Sequence, residues 1–88
     1  MYTIYMFFKE NLAALRKIEN LSQNELSIKL NVKRYNISDW EQGRSEPSIE
    51  MLCLISDFFG IHLNELLNDN LSIMNEKDLM FCKLNLRW

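Results

Sequence analysis

Apolar residues recur at helical rather than alternating spacing through most of this chain. Phe8, Leu12, Leu15 and Ile18 (with Ala14 beside them) fall on one side of a helix whose other positions include Lys9, Glu10, Arg16 and Lys17. Glu19-Asn20 ends it, because Asn accepts the left-handed backbone of a helix C-terminus better than most residues do. Ser22-Gln23-Asn24-Glu25 reads as a capping box, in which the Ser22 hydroxyl accepts the Glu25 amide and the Glu25 carboxylate reaches back to the Ser22 amide. Leu21 before the cap and Leu26 at the fourth helical position can staple this start. The second helix runs through Leu26, Ile28 and Leu30 and ends at Asn31.

A very short turn carrying Val32 leads into a third helix, from about Lys33 to Gln42, with Ile37 and Trp40 (or Glu41) facing inward and Gly43 as its stop. Arg44-Ser45-Glu46-Pro47 is a loop. Ser48 caps a fourth helix through Ile49, Leu52, Ile55, Phe58 and Phe59, which Gly60 ends, and Leu63 to Leu67 forms a short fifth. Two readings of the ends stay open. Leu84, Leu86 and Trp88 alternate with Lys83, Asn85 and Arg87, the period of a strand that could pair with the β-branched and aromatic start, Met1 to Phe8, as a small terminal β-ribbon. The competing reading is a sixth helix capped by Ser72.

Composition supports one small helical domain. The chain has 88 residues, 48% apolar and 25% charged, with only 2 Gly and 1 Pro to break helices. Cys53 and Cys82 form no CxxC pair, and His62 is the only histidine, so neither metal nor cofactor is expected. The cysteines read as thiols of a reducing cytoplasm. No apolar run reaches the roughly 20 residues that span a bilayer, and Met1 to Phe8 lacks the basic start and small-residue cleavage site of a signal peptide, so no membrane partner is expected. An enzyme would need a nucleophile–base pair, a glycine-rich phosphate loop or a metal set, and none is visible.

Net charge is −2, which by itself argues against a nucleic-acid partner. Its distribution changes that. Residues 1–44 carry seven basic against five acidic side chains, net +2, while residues 45–88 carry three against seven, net −4. The basic half holds the second and third helices. Two short helices joined by so short a turn form a helix-turn-helix unit, whose second helix can lie in the DNA major groove. Pairs of short helices also occur in many small bundles.

The residues add to the pattern. Leu12-x-x-Leu15-Arg16, Leu21-Ser22-Gln23-Asn24-Glu25-Leu26, and Val32-Lys33-Arg34-x-x-Ile37-Ser38-x-Trp40-Glu41-Gln42-Gly43-Arg44-x-x-Pro47-Ser48-Ile49-Glu50 closely resemble the Xre / phage-repressor (Cro/C1-type) helix-turn-helix family, as does Phe59-Gly60-Ile61-x-Leu63-Asn64-Glu65-Leu66. The resemblance implies an all-α, five-helix lambda-repressor-like DNA-binding bundle over residues 7–68. Residues 1–6 would be an N-terminal extension, and residues 69–88 a C-terminal one suited to dimerisation.

It also implies the site. Gln23 matches a family contact to a backbone phosphate, and Arg44 a loop position that touches phosphate. Lys33, Arg34, Tyr35, Ser38 and Asp39 fall where the family reads bases, with Asn36 adjacent. Arg16 and Glu41 match a buried or half-buried ion pair tying the first helix to the third. The side-chain chemistry agrees. Arg34 can donate twice to guanine, Asn36 can pair with adenine, and Lys33 can hold a base edge or a phosphate. Tyr35 can donate to phosphate or pack on a thymine methyl. Asp39 would repel phosphate, and so either complements its neighbours or accepts from a cytosine amine.

Lys33 stands where many members cap the third helix with Ser or Thr, and a missing cap costs about 0.5–2 kcal/mol. The expected function is sequence-specific binding of double-stranded DNA by a homodimeric transcriptional regulator, a repressor. Met1 to Phe8 and Leu79 to Trp88 are its expected dimer surface. An antitoxin-like or anti-repressor-like module, whose main contact is a protein partner, is the alternative.

Overall fold

The computed structural model describes residues 7–71. Among these, five helices follow one another with no strand: α1 (Phe8–Ile18), α2 (Gln23–Leu30), α3 (Arg34–Gln42), α4 (Ile49–Phe59) and α5 (Leu63–Asn68). The expected all-α, five-helix architecture is therefore present. The terminal ribbon and the sixth helix both fall on residues 1–6 and 72–88, outside the described residues.

The capping signals sit where the sequence places them. Glu25 donates its amide to Ser22 Oγ at 3.0 Å, and Ser22 donates its own to Glu25 Oε1 at 2.8 Å. These bonds hold the Glu25 carboxyl below its ordinary value, the Ser22 amide contributing most. Ser48 Oγ accepts from the Met51 amide at the start of α4. Lys33 and His62 head α3 and α5 without a side-chain cap.

Four helix ends close in one way. After α1, α2, α3 and α4 the chain turns through a left-handed residue, respectively Asn20 (φ 58°), Asn31 (φ 57°), Gly43 (φ 77°) and Gly60 (φ 71°). The next amide bonds back to the carbonyl five residues earlier: Leu21 to Arg16, Val32 to Ser27, Arg44 to Asp39 and Ile61 to Ser56. This is the Schellman closure, which satisfies carbonyls the helix leaves open. In three cases the residue after the turn is apolar and packs on the core (Leu21, Val32, Ile61). In the fourth it is Arg44, exposed.

The core draws on every helix: Phe8, Leu12 and Leu15 of α1, Leu26 and Leu30 of α2, Ile37 and Trp40 of α3, Leu52, Ile55 and Phe59 of α4, Leu66 of α5, with Ile61 and Leu71 from the connecting and following segments. Full burial of such a side chain contributes roughly 1.5–3 kcal/mol. Helix α3 packs on both α1 and α2, and α5 on both α1 and α4.

Three of the apolar residues that the helical spacing suggested for the core stay outside. Ile28 is 70% exposed, Ile49 56% and Phe58 40%. The spacing 26, 28, 30 is not a helical one. The inner face of α2 is Leu26, Ser27 and Leu30, and Ile28 lies on the opposite side. Ser27 fits inside because its hydroxyl donates to the Asn24 carbonyl at 2.6 Å.

Asn11 is fully buried and ties α1 to the end of α5. Its Nδ2 donates to the carbonyls of Asp69 (2.6 Å) and Leu66 (2.7 Å), with Glu65 O at 3.4 Å, and its Oδ1 accepts the Leu71 amide at 2.8 Å. Leu71 is thereby drawn into the core.

Candidate nucleic-acid interface

Helices α2 and α3 are joined by three residues, Asn31, Val32 and Lys33. Ile37 and Trp40 anchor α3 inward, so its period of 3.6 turns Tyr35, Ser38, Asp39 and Gln42 outward as one face. Tyr35 is 57% exposed. Lys33 and Arg34 are exposed at the head of α3, and Asn36 is half-buried on its flank. The structure thus brings Lys33, Arg34, Tyr35, Asn36, Ser38 and Asp39 onto the outer side and head of one short helix.

A polar network holds this helix to the bundle. Arg16 Nε donates to Glu41 Oε2 at 2.6 Å and Nη2 to Glu41 Oε1 at 3.1 Å, while Nη1 donates to the Leu21 carbonyl at 2.8 Å. The two side chains are 14% and 9% exposed, so this is a paired, hydrogen-bonded charge couple largely removed from water. The ion pair expected between α1 and α3 is present.

The network continues to the surface. Gln23, the first residue of α2, donates Nε2 to Glu41 Oε1 at 3.1 Å and accepts from Arg34 Nη1 on Oε1 at 3.4 Å. Between a carboxylate and a guanidinium its amide has one favourable orientation, because only nitrogen can donate to the first and only oxygen accept from the second. Gln23 therefore spans the starts of α2 and α3, with its second N–H left over.

Arg44 and Asp39 meet across the end of α3, Arg44 Nη1 to Asp39 Oδ1 at 3.8 Å. With Arg44 mostly exposed and the distance beyond a hydrogen bond, this pair adds little stability. Asp39 thus has a cationic neighbour in Arg44.

Two residues of the outer side escaped the sequence reading. Gln42 follows Ser38 by one helical turn and donates Nε2 to Ser38 Oγ at 2.8 Å; the i, i+4 spacing from Ser38 was the available signal. Lys9, from α1, lies over Gly43: a Cβ on that glycine would stand 3.1 Å from Lys9 Cδ and 3.7 Å from its Nζ. No local signal links Lys9 to this loop.

Among the described residues no group of three His, Cys, Asp or Glu side chains is placed to hold a metal, and no helix is long and apolar enough to cross a membrane.

The sequence profile described as helix-turn-helix matches residues 12–66. Over 63 residues the chain is 44% identical to the HTH-type transcriptional activator BcrR of Enterococcus faecalis, an alignment covering 72% of this chain and 31% of BcrR. Over 58 residues it is 34% identical to an HTH-type transcriptional regulator of Methanocaldococcus jannaschii, covering 66% of this chain and 88% of that protein. The chain therefore spans less than a third of BcrR and most of the second relative. No solved structure matches.

Proposed function

The chain belongs to the helix-turn-helix family, and from that premise we propose that it is a transcriptional regulator binding double-stranded DNA in a sequence-specific way through residues 7–68, with 1–6 and 69–88 as extensions. The observation that carries this reading is the outward face of α3, polar and open to solvent at Tyr35 and Gln42 with Ser38 and Asp39 half-buried between them, on a helix tied to the bundle by Arg16 and Glu41. A rigid helix offering donors and acceptors is what the major groove requires.

In this reading Arg34 donates twice to guanine and Gln23 steadies it while giving its remaining N–H to a phosphate. Ser38, Gln42 and Asn36 meet base edges, Tyr35 meets phosphate or a thymine methyl, and Lys33 brings charge to the uncapped head of α3. Arg44 and Lys9 reach the phosphates beside the loop.

Binding as a homodimer follows from the small surface one module buries on DNA. Two copies read half-sites about 34 Å apart. Repression is the simplest output, since a bound module blocks by occupancy. BcrR is named an activator, and a reporter carrying the selected site separates the two signs of regulation. A module whose main contact is another protein is the second reading, favoured by the acidic balance of residues 45–88.

The test is selection from random duplex DNA at two salt concentrations. A palindromic site whose affinity falls steeply with salt is expected, because neutralised phosphates release counterions. Folded protein that recovers no preferred sequence would overturn the reading in favour of the protein-interaction module.

A further inference from the structure

A shallow groove lies between α2 and α4, lined by none of the side chains assigned to DNA. One wall is the end of α2, Lys29 and Leu30; the other is Leu54, Asp57 and Phe58 of α4. It encloses about 330 Å³. Leu54 is 54% exposed and Phe58 40%, although both are large apolar side chains in a chain with buried positions for others. The Phe58 ring stands edge-on to buried Phe59, centroids 5.0 Å apart at 78°, a favourable contact on one edge that leaves the rest of the ring open.

The walls carry opposite charges, Lys29 on one and Asp57 on the other. Neither makes an ion pair within 4 Å among the described residues, although Lys29 lies near enough to Glu25, one turn back on α2, to favour its ionised form.

We propose that a second copy of this chain docks in this groove about a two-fold axis. In a two-fold interface every contact is made twice, residue i meeting j and j meeting i. An axis along the groove lays α2 of each copy over α4 of the other. Lys29 of each copy then faces Asp57 of the other, and Leu54 and Phe58 of both leave water together. One cation and one anion on opposite sides of an apolar strip are complementary to their own rotated image. A partner surface of a single sign would match one wall and be repelled by the other. The apolar side chains supply the affinity, and the charges at the edge set the register.

The inference stands on this surface alone and does not depend on which DNA the module reads. Its test is sedimentation equilibrium of the full chain without DNA, so that its failure and the failure of the DNA reading are separate results. A concentration-dependent dimer is expected, weakened about tenfold or more by Leu54→Glu. Phe58→Ala serves as a second variant if the first does not fold by circular dichroism.

Lys29→Asp and Asp57→Lys should each weaken the dimer, and the two together should restore it. That rescue requires the charges to face each other across the interface. A chain that stays monomeric, a dimer indifferent to Leu54→Glu and Phe58→Ala, or charge variants without rescue would each overturn the proposal. The second of these would move the contact to another surface, such as the terminal segments.

Discussion

Asn11 and Glu41 are both polar, both shielded from water and both essential to how helices meet, yet their networks differ in kind. Every bond of Asn11 ends on a main-chain atom, at Leu66, Asp69, Leu71 and, more weakly, Glu65. The network is closed, and it fixes where α5 ends against α1. Glu41 is bonded by side chains alone, Arg16 on one side and Gln23 on the other, and Gln23 leads on to exposed Arg34. That network is open at one end. Burial makes each polar group costly to leave unpaired, but only the open network connects the bundle's stability to a surface that can meet a ligand.

The largest test of this contrast is Glu41→Ala. Removing the carboxylate strands Arg16 in a mostly dry site and should cost about 3 kcal/mol of stability, at the low end for a buried pair because Arg16 keeps some solvent and its Leu21 bond. Urea unfolding measures it. Protein that remains folded should also bind its DNA site more weakly, since Gln23 loses its anchor. An unchanged melt would show that the pair does not hold α3.

Asn11→Ala should cost about 2 kcal/mol by leaving buried main-chain groups unsatisfied. DNA binding, corrected for the folded fraction, should be unchanged. A changed base preference in this variant would erase the distinction between the closed and the open network.

Arg34→Ala probes the open end. It should leave the melt within about 0.5 kcal/mol, as surface changes do, while costing about 1–3 kcal/mol on the selected site and relaxing its preference. Equal loss on all sequences would reassign Arg34 to phosphate.

The smallest effect is expected at Glu65, beside the closed network. One of its carboxylate oxygens is buried without a hydrogen-bond partner. Its pKa is raised, by burial first and by Asp69 second, with His62 opposing. A carboxyl raised in the folded state favours its protonated form, so ionised Glu65 is penalised at neutral pH, and the penalty fades as pH falls through its raised value to the ordinary one near 4.3. Glu65→Gln should therefore raise Tm slightly at pH 7, with the gain vanishing in acid. A gain independent of pH would point to packing instead.

What the sequence by itself determined is local in origin. The capping box at Ser22, the left-handed turns at Asn20, Asn31, Gly43 and Gly60, and the inward pair Ile37 and Trp40 each depend on residues within about one or two turns of one another, and each was legible from spacing. The pairing of Arg16 with Glu41 spans 25 residues and was legible only through family resemblance.

The tertiary structure alone decided the rest. Asn11 is unremarkable in an amphipathic helix until folding brings Leu71, 60 residues away, to its carbonyl oxygen. Ile28 and Phe58 look like core residues until helix phase turns them out. Lys9 joins the loop at Gly43, and Lys29 and Asp57 come to line one groove, only because folding brings together segments distant in the chain. Spacing along a chain fixes which residues can share a helix face, whereas packing between helices decides which face is covered and what is left for a partner.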